Sequence, residues 1–214
     1  VNVRSFNFAA YYSNEMRPRD ADKERVIKKK AIEMIVKYGF DGLSMHKLAK
    51  AAGVSPATIY IYFKDRDDLI IQAGLEEELK MFDATLKGFD ASMSFEEGMR
   101  VQWMNRTHYF LENPDQMNFM EQLKHSPYHH EIGTRVESNF SNLMSQFVHK
   151  AIDNKELAPL PIEVFWAISF APLYQLVKFH INKKGITGSP YVLDDQSIHL
   201  ALSIVLKGLK PTVQ

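Results

Sequence analysis

The sequence predicts an all-α fold: a small N-terminal unit built on three helices, followed by a larger helical domain. Three observations lead there. Apolar residues recur every three or four positions along most of the chain, which gives each helix one inward stripe. The periodic stretches are bracketed by helix-start and helix-stop residues. No run shows a convincing strand pattern, and no segment repeats.

The elements follow in order. Val1 to Glu15 carry no apolar core or helical period and Met16 offers a natural start, so residues 1–16 are read as an appended or leader remnant outside the fold. The first helix turns Ile27, Ala31, Met34/Ile35 and Tyr38 inward, and Gly39 stops it because glycine takes the left-handed cap conformation without a Cβ clash. Asp41-Gly42 makes the turn. Ser44 caps a second helix whose inner residues are Met45, Leu48, Ala49 and Ala52, and Gly53 ends it. Ser55 caps a third, with Pro56 at the first helical position, where a missing N–H costs nothing. Ile59 and Phe63 face inward. Asp65 opens a fourth helix running through Leu69, Ile70, Ala73 and Phe82 towards Leu86.

These elements make one domain over residues 22–82, and a second spans 88–210. The second begins with Ser94 and Glu97, spaced as a capping box in which each satisfies the other's orphan amide. That helix runs to about Glu112 and stops at Asn113-Pro114. A short helix to Lys124, a polar break at His125-Ser126-Pro127 and a long helix from about His130 to Asp153 follow. Pro159 and Pro161 precede a helix over Ile162 to Lys184. Gly185 to Pro190 form a loop, and the last helix covers about Asp194 to Leu209.

Charge and composition narrow the function. The chain is neutral overall, yet Arg17 to Arg66 hold 12 Lys/Arg against 6 Asp/Glu, and residues 67–214 hold 13 against 19. A basic end on an acidic body suggests that one end meets a polyanion. With no cysteine, thiol catalysis, cysteine–zinc sites and disulfides are excluded, which fits a reducing cytoplasm. The most apolar stretch, Val164 to Phe179, is interrupted by Pro172, Gln175 and Lys178, which argues against a membrane span. No paired carboxylates, glycine-rich phosphate loop or serine elbow stands out, so neither an enzyme nor a cofactor is expected.

The informative segment is Leu43 to Lys64. Two short helices joined by a tight glycine turn cannot bury enough area alone and must rest on a third. Ala49 lets them approach, Gly53 allows the reversal, and the N-terminal end of the second of them then projects where it can enter a DNA major groove. The helix-turn-helix spans about residues 45–64. Its groove side holds Ser55, Pro56, Ala57, Thr58, Tyr60 and Ile61. Pro56, Ala57 and Ile61 suit thymine methyls, and Thr58 and Tyr60 can hydrogen-bond to bases or phosphate. Tyr62, Lys64 and Arg66 are expected at flanking phosphates, and Ser44 at a helix N-terminus that favours an anion. Salt dependence should come from Lys47, Lys64, Arg66 and the basic first helix, although Lys28-Lys29-Lys30 reads equally well as a solvated face.

This segment resembles the DNA-binding domain of the TetR family of bacterial regulators. The resemblance rests on Ala52-Gly53-Val54-Ser55, Thr58-Ile59-Tyr60, Tyr62-Phe63-Lys64 and Leu69, and covers about Asp22 to Phe82. Ala57, Ile61 and Arg66 stand where the family often has glycine, a polar or aromatic residue, and lysine. The resemblance implies a homodimer joined through the last two helices, a small-molecule pocket in the C-terminal domain, and ligand-driven movement of the fourth helix that separates the reading heads.

The C-terminal helices carry an aromatic and methionine-rich set: Trp103, Met104, Thr107, Phe110, Met120, Phe140, Met144, Phe147, Phe165, Trp166, Phe170 and Tyr174. Taken singly most of these read as core, and together so many flat and pliable side chains suit a cavity for an apolar or aromatic ligand. An internal cavity bordered by Trp103, Phe110, Phe140 and Trp166 is expected, and Pro172 should bend its helix. Ile198, Leu202, Val205, Leu206 and Leu209 form a stripe assigned to the dimer contact. His125, His129 and His130 read as a solvated loop, because Pro127 interrupts any helix across them. The expected function is that of a cytoplasmic bacterial repressor that binds a palindromic operator as a dimer and is released by a small effector. An activator or protein-responsive regulator on the same fold is the alternative, and an enzyme with an appended DNA-binding module is the alternative from another class.

Overall fold

The computed structural model describes residues 20–136 and 139–211, with the side chains of Val136, Asn139 and Phe140 outside that description. Among the described residues the chain forms ten helices and no strand. They are α1 (Ala21–Gly42), α2 (Met45–Ala52), α3 (Pro56–Tyr62), α4 (Arg66–Thr85), α5 (Phe95–Glu112), α6 (Pro114–Lys124), α7 (His129–Val136), α8 (Asn139–Asp153), α9 (Ile162–Ile181) and α10 (Asp195–Leu209). The expectation for residues 1–16 lies outside the described residues.

Local chemistry sets most of the boundaries. Side chains of Asp20, Ser44, Ser55, Asp65, Ser94 and Asp194 each accept a hydrogen bond from the amide three residues on, and so open α1, α2, α3, α4, α5 and α10. Gly39 takes φ 71° and breaks α1, leaving one short turn before Leu43. Gly53 closes α2 in the left-handed region, φ 68° and ψ 31°. The cap at Ser94 is only half of the expected box. Its Oγ accepts from Glu97 N at 3.3 Å, but the Phe95 amide donates to the Glu156 carboxylate at 2.5 Å.

The range expected for one long helix from about His130 is occupied by α7 and α8, on either side of residues 137–138, which lie outside the described residues. Two expectations change. Tyr38 is 59% exposed instead of inward, because it stands on the last turn of α1, past the helices that cover Ile27, Ala31 and Ile35. Ile198, Leu202, Val205, Leu206 and Leu209 are all buried within the chain itself, since that face of α10 packs on α9 and α5. They are core and not a free dimer stripe.

α4 is the shared element. Its length packs on α5, α6 and α7 and it also meets α1, while Arg66 at its start reaches the Leu43 carbonyl just ahead of α2. A Cβ on its Gly74 would lie 2.5 Å from Ile132 Cδ1 and 2.9 Å from Leu123 Cδ2, so glycine is what lets α4 approach so closely. α1 also packs on α6, and Gln122 Nε2 donates to the Val36 carbonyl at 3.3 Å. α5, α9 and α10 complete the C-terminal layer. α9 has the length and mean hydropathy, 1.2, of a membrane-crossing helix. Phe165, Ser169, Phe170, Leu173 and Val177 turn one side of it into the protein.

Candidate nucleic-acid interface

α3 is held by its inner face and presents its outer one. Ile59 and Phe63 are 0% and 1% exposed, with α3 packed on α2 and Lys28 of α1 over the Phe63 ring, whereas Tyr60 and Ile61 are 54% and 61% exposed. Ser55, Ala57 and Lys64 are also exposed, and Pro56 and Thr58 are half-buried. The Ser55 hydroxyl accepts from Thr58 N at 3.1 Å and shares a 2.8 Å hydrogen bond with Thr58 Oγ1. Both hydroxyls are therefore fixed at the N-terminal end of the helix instead of rotating freely. Ahead of α3, Lys47 and Lys50 are exposed on α2, and Ser44 is half-buried in its capping role. A short helix with small residues at its tip, flanked by lysines, has the shape and charge to lie in a major groove while the lysines meet phosphates.

Two of the residues expected at phosphates are committed elsewhere. Tyr62 is only 9% exposed, its ring 6.3 Å from that of Phe63, because the end of α3 turns that position into the core. Arg66 donates from Nε to the Leu43 carbonyl at 3.1 Å and from Nη2 to the Phe40 carbonyl in a short hydrogen bond. Its Nη1 lies 3.3 Å from both the Tyr128 hydroxyl and Asp67 Oδ1. The Tyr128 hydroxyl in turn donates to Asp67 at 2.7 Å. Arg66 is thus a bolt between α1, α4 and the α6–α7 turn. Lys28, in the basic run of α1, is buried between Glu24 at 2.7 Å and Glu76 at 2.8 Å. Burial works to lower its pKa, but the two carboxylates outweigh burial and raise it, so the charge is balanced inside the protein. Lys29 remains exposed and Lys30 pairs with Glu33 at 2.7 Å.

The C-terminal aromatic set is brought together, but as packing. Trp103, Phe147 and Phe170 are 0% exposed and Phe110 is 4%, so no space as large as a water molecule touches most of their surface. On the side of Trp103 and Phe110 the expected internal cavity is filled by packing. Phe147 stacks on Phe95 with centroids 5.7 Å apart, Phe110 meets Tyr174 edge-on at 5.8 Å, and Trp166 lies 4.7 Å from Phe170. The Trp103 indole N–H donates to the Ser169 carbonyl at 2.8 Å. Thr107, Met120, Met144 and Phe165 are buried, Met104 and Tyr174 are half-buried, and Trp166 is 37% exposed. Phe140 lies outside the described residues. A cleft of about 680 Å³ is found elsewhere, between Ser94, Phe95, Glu156 and Leu206. His125, His129 and His130 are exposed, and no metal-binding cluster forms among the described residues.

One residue among these aromatics escaped the sequence reading. Arg106 is 0% exposed, one turn beyond Trp103 on the inner face of α5. The available signal was its position: residues 103, 106 or 107, and 110 form one stripe, and an arginine in an apolar stripe calls for a reason.

An exposed short helix after a glycine turn, on an all-helical body, defines a helix-turn-helix DNA-binding regulator. Residues 27–73 match the family model of bacterial regulatory proteins of the tetR family, and residues 95–195 match the tetracyclin repressor-like C-terminal domain. An uncharacterized HTH-type transcriptional regulator from Haemophilus influenzae is 32% identical over 155 residues, which is 72% of this chain and 81% of that protein. A TetR family transcription regulator from Marinobacter aquaeolei has a solved structure that superposes with a TM-score of 0.80 at 30% identity, covering 92% of this chain and all of the other. A TetR-family transcriptional regulator structure from Haemophilus influenzae superposes with a TM-score of 0.76 at 24% identity, covering 91% of this chain and all of the other. The chain belongs to the TetR family of bacterial transcription regulators.

Proposed function

We propose that this regulator is a repressor that binds a palindromic operator as a homodimer, reads it with α3, and is released by a small apolar or aromatic effector bound in the C-terminal domain. The domain division at residues 82–88 belongs to this reading, because α4 ends there at Thr85. The observation that carries the reading is the exposed outer face of α3, with Thr58 and Tyr60 at reach and Lys47, Lys50 and Lys64 around it. Two such heads, set about 34 Å apart, would span one helical turn of B-DNA. The surface that supports a dimer lies on α9 and α10, where Val164, Ile168, Leu200 and Ile204 are 37–61% exposed. An apolar stripe across two neighbouring helices suits a four-helix contact with a second copy. The aromatic region between α5 and α9 supports an effector site that is shut in this state and opens on binding.

The test uses duplexes enriched by selection from random sequence on the full chain. Thr58→Ala with Tyr60→Ala should lose specific footprinting while sedimenting as the wild type does. A footprint unchanged by the double substitution rules out α3 as the reader.

A further inference from the structure

Arg106 is a buried charge without a counter-charge. The guanidinium donates from Nε to the Tyr174 hydroxyl at 3.1 Å and from Nη1 to Gln102 Oε1 in a short hydrogen bond. Its flat faces lie against aromatic rings, 4.4 Å from Phe170 and 5.9 Å from Trp166. Nη2 is buried with no hydrogen-bond partner, and the Ser169 hydroxyl, on the same α5–α9 contact, has none either. Among the described residues no carboxylate lies within 4 Å of this guanidinium. A guanidinium is a permanent charge in a protein, so only neighbouring groups can compensate it. A buried charge left unpaired costs several kcal/mol. Such a group calls for an anion that arrives later.

We propose that the effector site of this regulator is an anion site, and that Arg106 receives the carboxylate of a ligand whose remaining body is apolar. This inference rests on the effector-controlled reading above and adds the ligand's charge to it. Because the guanidinium is shut from the surface, neither DNA nor a second copy of the chain reaches it; only a small molecule entering the interior does. One fixed positive charge and one free hydroxyl match a monoanion better than a doubly charged phosphate. Nη2 of Arg106 and Oγ of Ser169 supply the donors, and Trp103, Phe110, Trp166 and Phe170 surround the body. The way in lies beside half-exposed Trp166. There Pro172 supplies no N–H to the carbonyl four residues earlier, so α9 bends more readily than an unbroken helix.

The same polar chain leads out of the site. Gln102, which accepts from Arg106, donates from Nε2 to the Thr85 carbonyl at 2.8 Å, on the last turn of α4. A carboxylate that draws the guanidinium away from Gln102 therefore loosens a tether on the helix whose first turn carries Arg66 and whose Asp68 accepts from the Lys64 amide just beyond α3.

The experiment measures calorimetric binding of sodium decanoate, 1-decanol, 4-phenylbutyrate and 4-phenylbutan-1-ol to the full chain, all below micelle concentration, with operator release followed by anisotropy. At least one carboxylate should bind the wild type well over tenfold more tightly than its alcohol. Arg106→Met should weaken that binding about a hundredfold and erase the preference for a carboxylate over its alcohol. Arg106→Gln, which keeps a polar partner for Gln102, serves if the methionine variant does not fold. An alcohol binding as tightly as its carboxylate, or no binding by any of the four, overturns the anion site, and the wild type alone shows either result. Carboxylate binding that leaves operator affinity unchanged supports the anion site and overturns effector control.

Discussion

Replacing Arg66 by alanine separates a structural bolt from a phosphate contact. The wild-type guanidinium holds the Phe40 and Leu43 carbonyls at the end of α1 and meets Tyr128 and Asp67 beyond them, with the side chain only 31% exposed. Hydrogen bonds made by a charged group contribute about 1.5–3 kcal/mol each when buried, and Arg66 makes two to backbone carbonyls. Water will satisfy part of what the truncation leaves bare, so the expected loss is about 2–4 kcal/mol. For a chain of this size that lowers Tm by roughly 5–15 °C. Thermal melts followed by circular dichroism, with urea titration beside them, measure it. Salt titration of operator affinity then decides the role. Each phosphate contact contributes about 0.9 to the slope of log K against log salt. Arg66→Ala should leave that slope where it is, whereas Lys64→Ala, which removes one contact from each protomer of the proposed dimer, should reduce it by about 1.8. If Arg66→Ala melts like the wild type and its slope falls by about 1.8, Arg66 is a DNA contact and the bolt is refuted.

Other outcomes follow from separate parts of the structure. Leu200→Glu with Ile204→Glu should convert the dimer to monomers in sedimentation velocity and abolish operator binding with α3 untouched; a dimer that persists removes the α9–α10 contact. Gly98→Val should cost about 1–3 kcal/mol in urea unfolding, since even a Cβ there would lie 2.4 Å from the Phe147 ring, and an unchanged midpoint contradicts the packing. Glu78 on α4 is pushed from its ordinary 4.5 up to about 7 by burial, with Lys124 pulling the other way. Its protonated form favours folding, an advantage that is complete below about 4.5 and is lost as pH climbs through about 7. Glu78→Gln should therefore match the wild type near pH 4.5 and exceed it by about 1–3 kcal/mol at pH 8, the range allowing for partial solvent screening. Equal stabilities at pH 8 would show that the carboxyl is solvated.

The sequence by itself determined most of the helices and the exposed face of α3. Ser44, Ser55, Asp65 and Asp194 act on amides three residues away, and Gly39 and Gly53 act through their own φ, so these boundaries are local physics. The exposed side of α3 is local too: once Ile59 and Phe63 are inward, the helical period puts Tyr60 and Ile61 outward. Tertiary structure decided which charges are free. Lys28 and Arg66 look in sequence like their exposed neighbours, and only the approach of Glu76 and of the α1 carbonyls, 48 and 23–26 positions away, commits them to the interior. It also decided which side of α10 is core, because two apolar faces, Ile198–Leu202 and Leu200–Ile204, compete on one helix and the choice belongs to α9 and α5. For the same reason the aromatic set closed on itself instead of enclosing a void. Side-chain volume is legible along a chain, but interdigitation depends on how far apart the helices settle, and that distance is set by pairs such as Gly98 with Phe147 and Trp103 with Ser169.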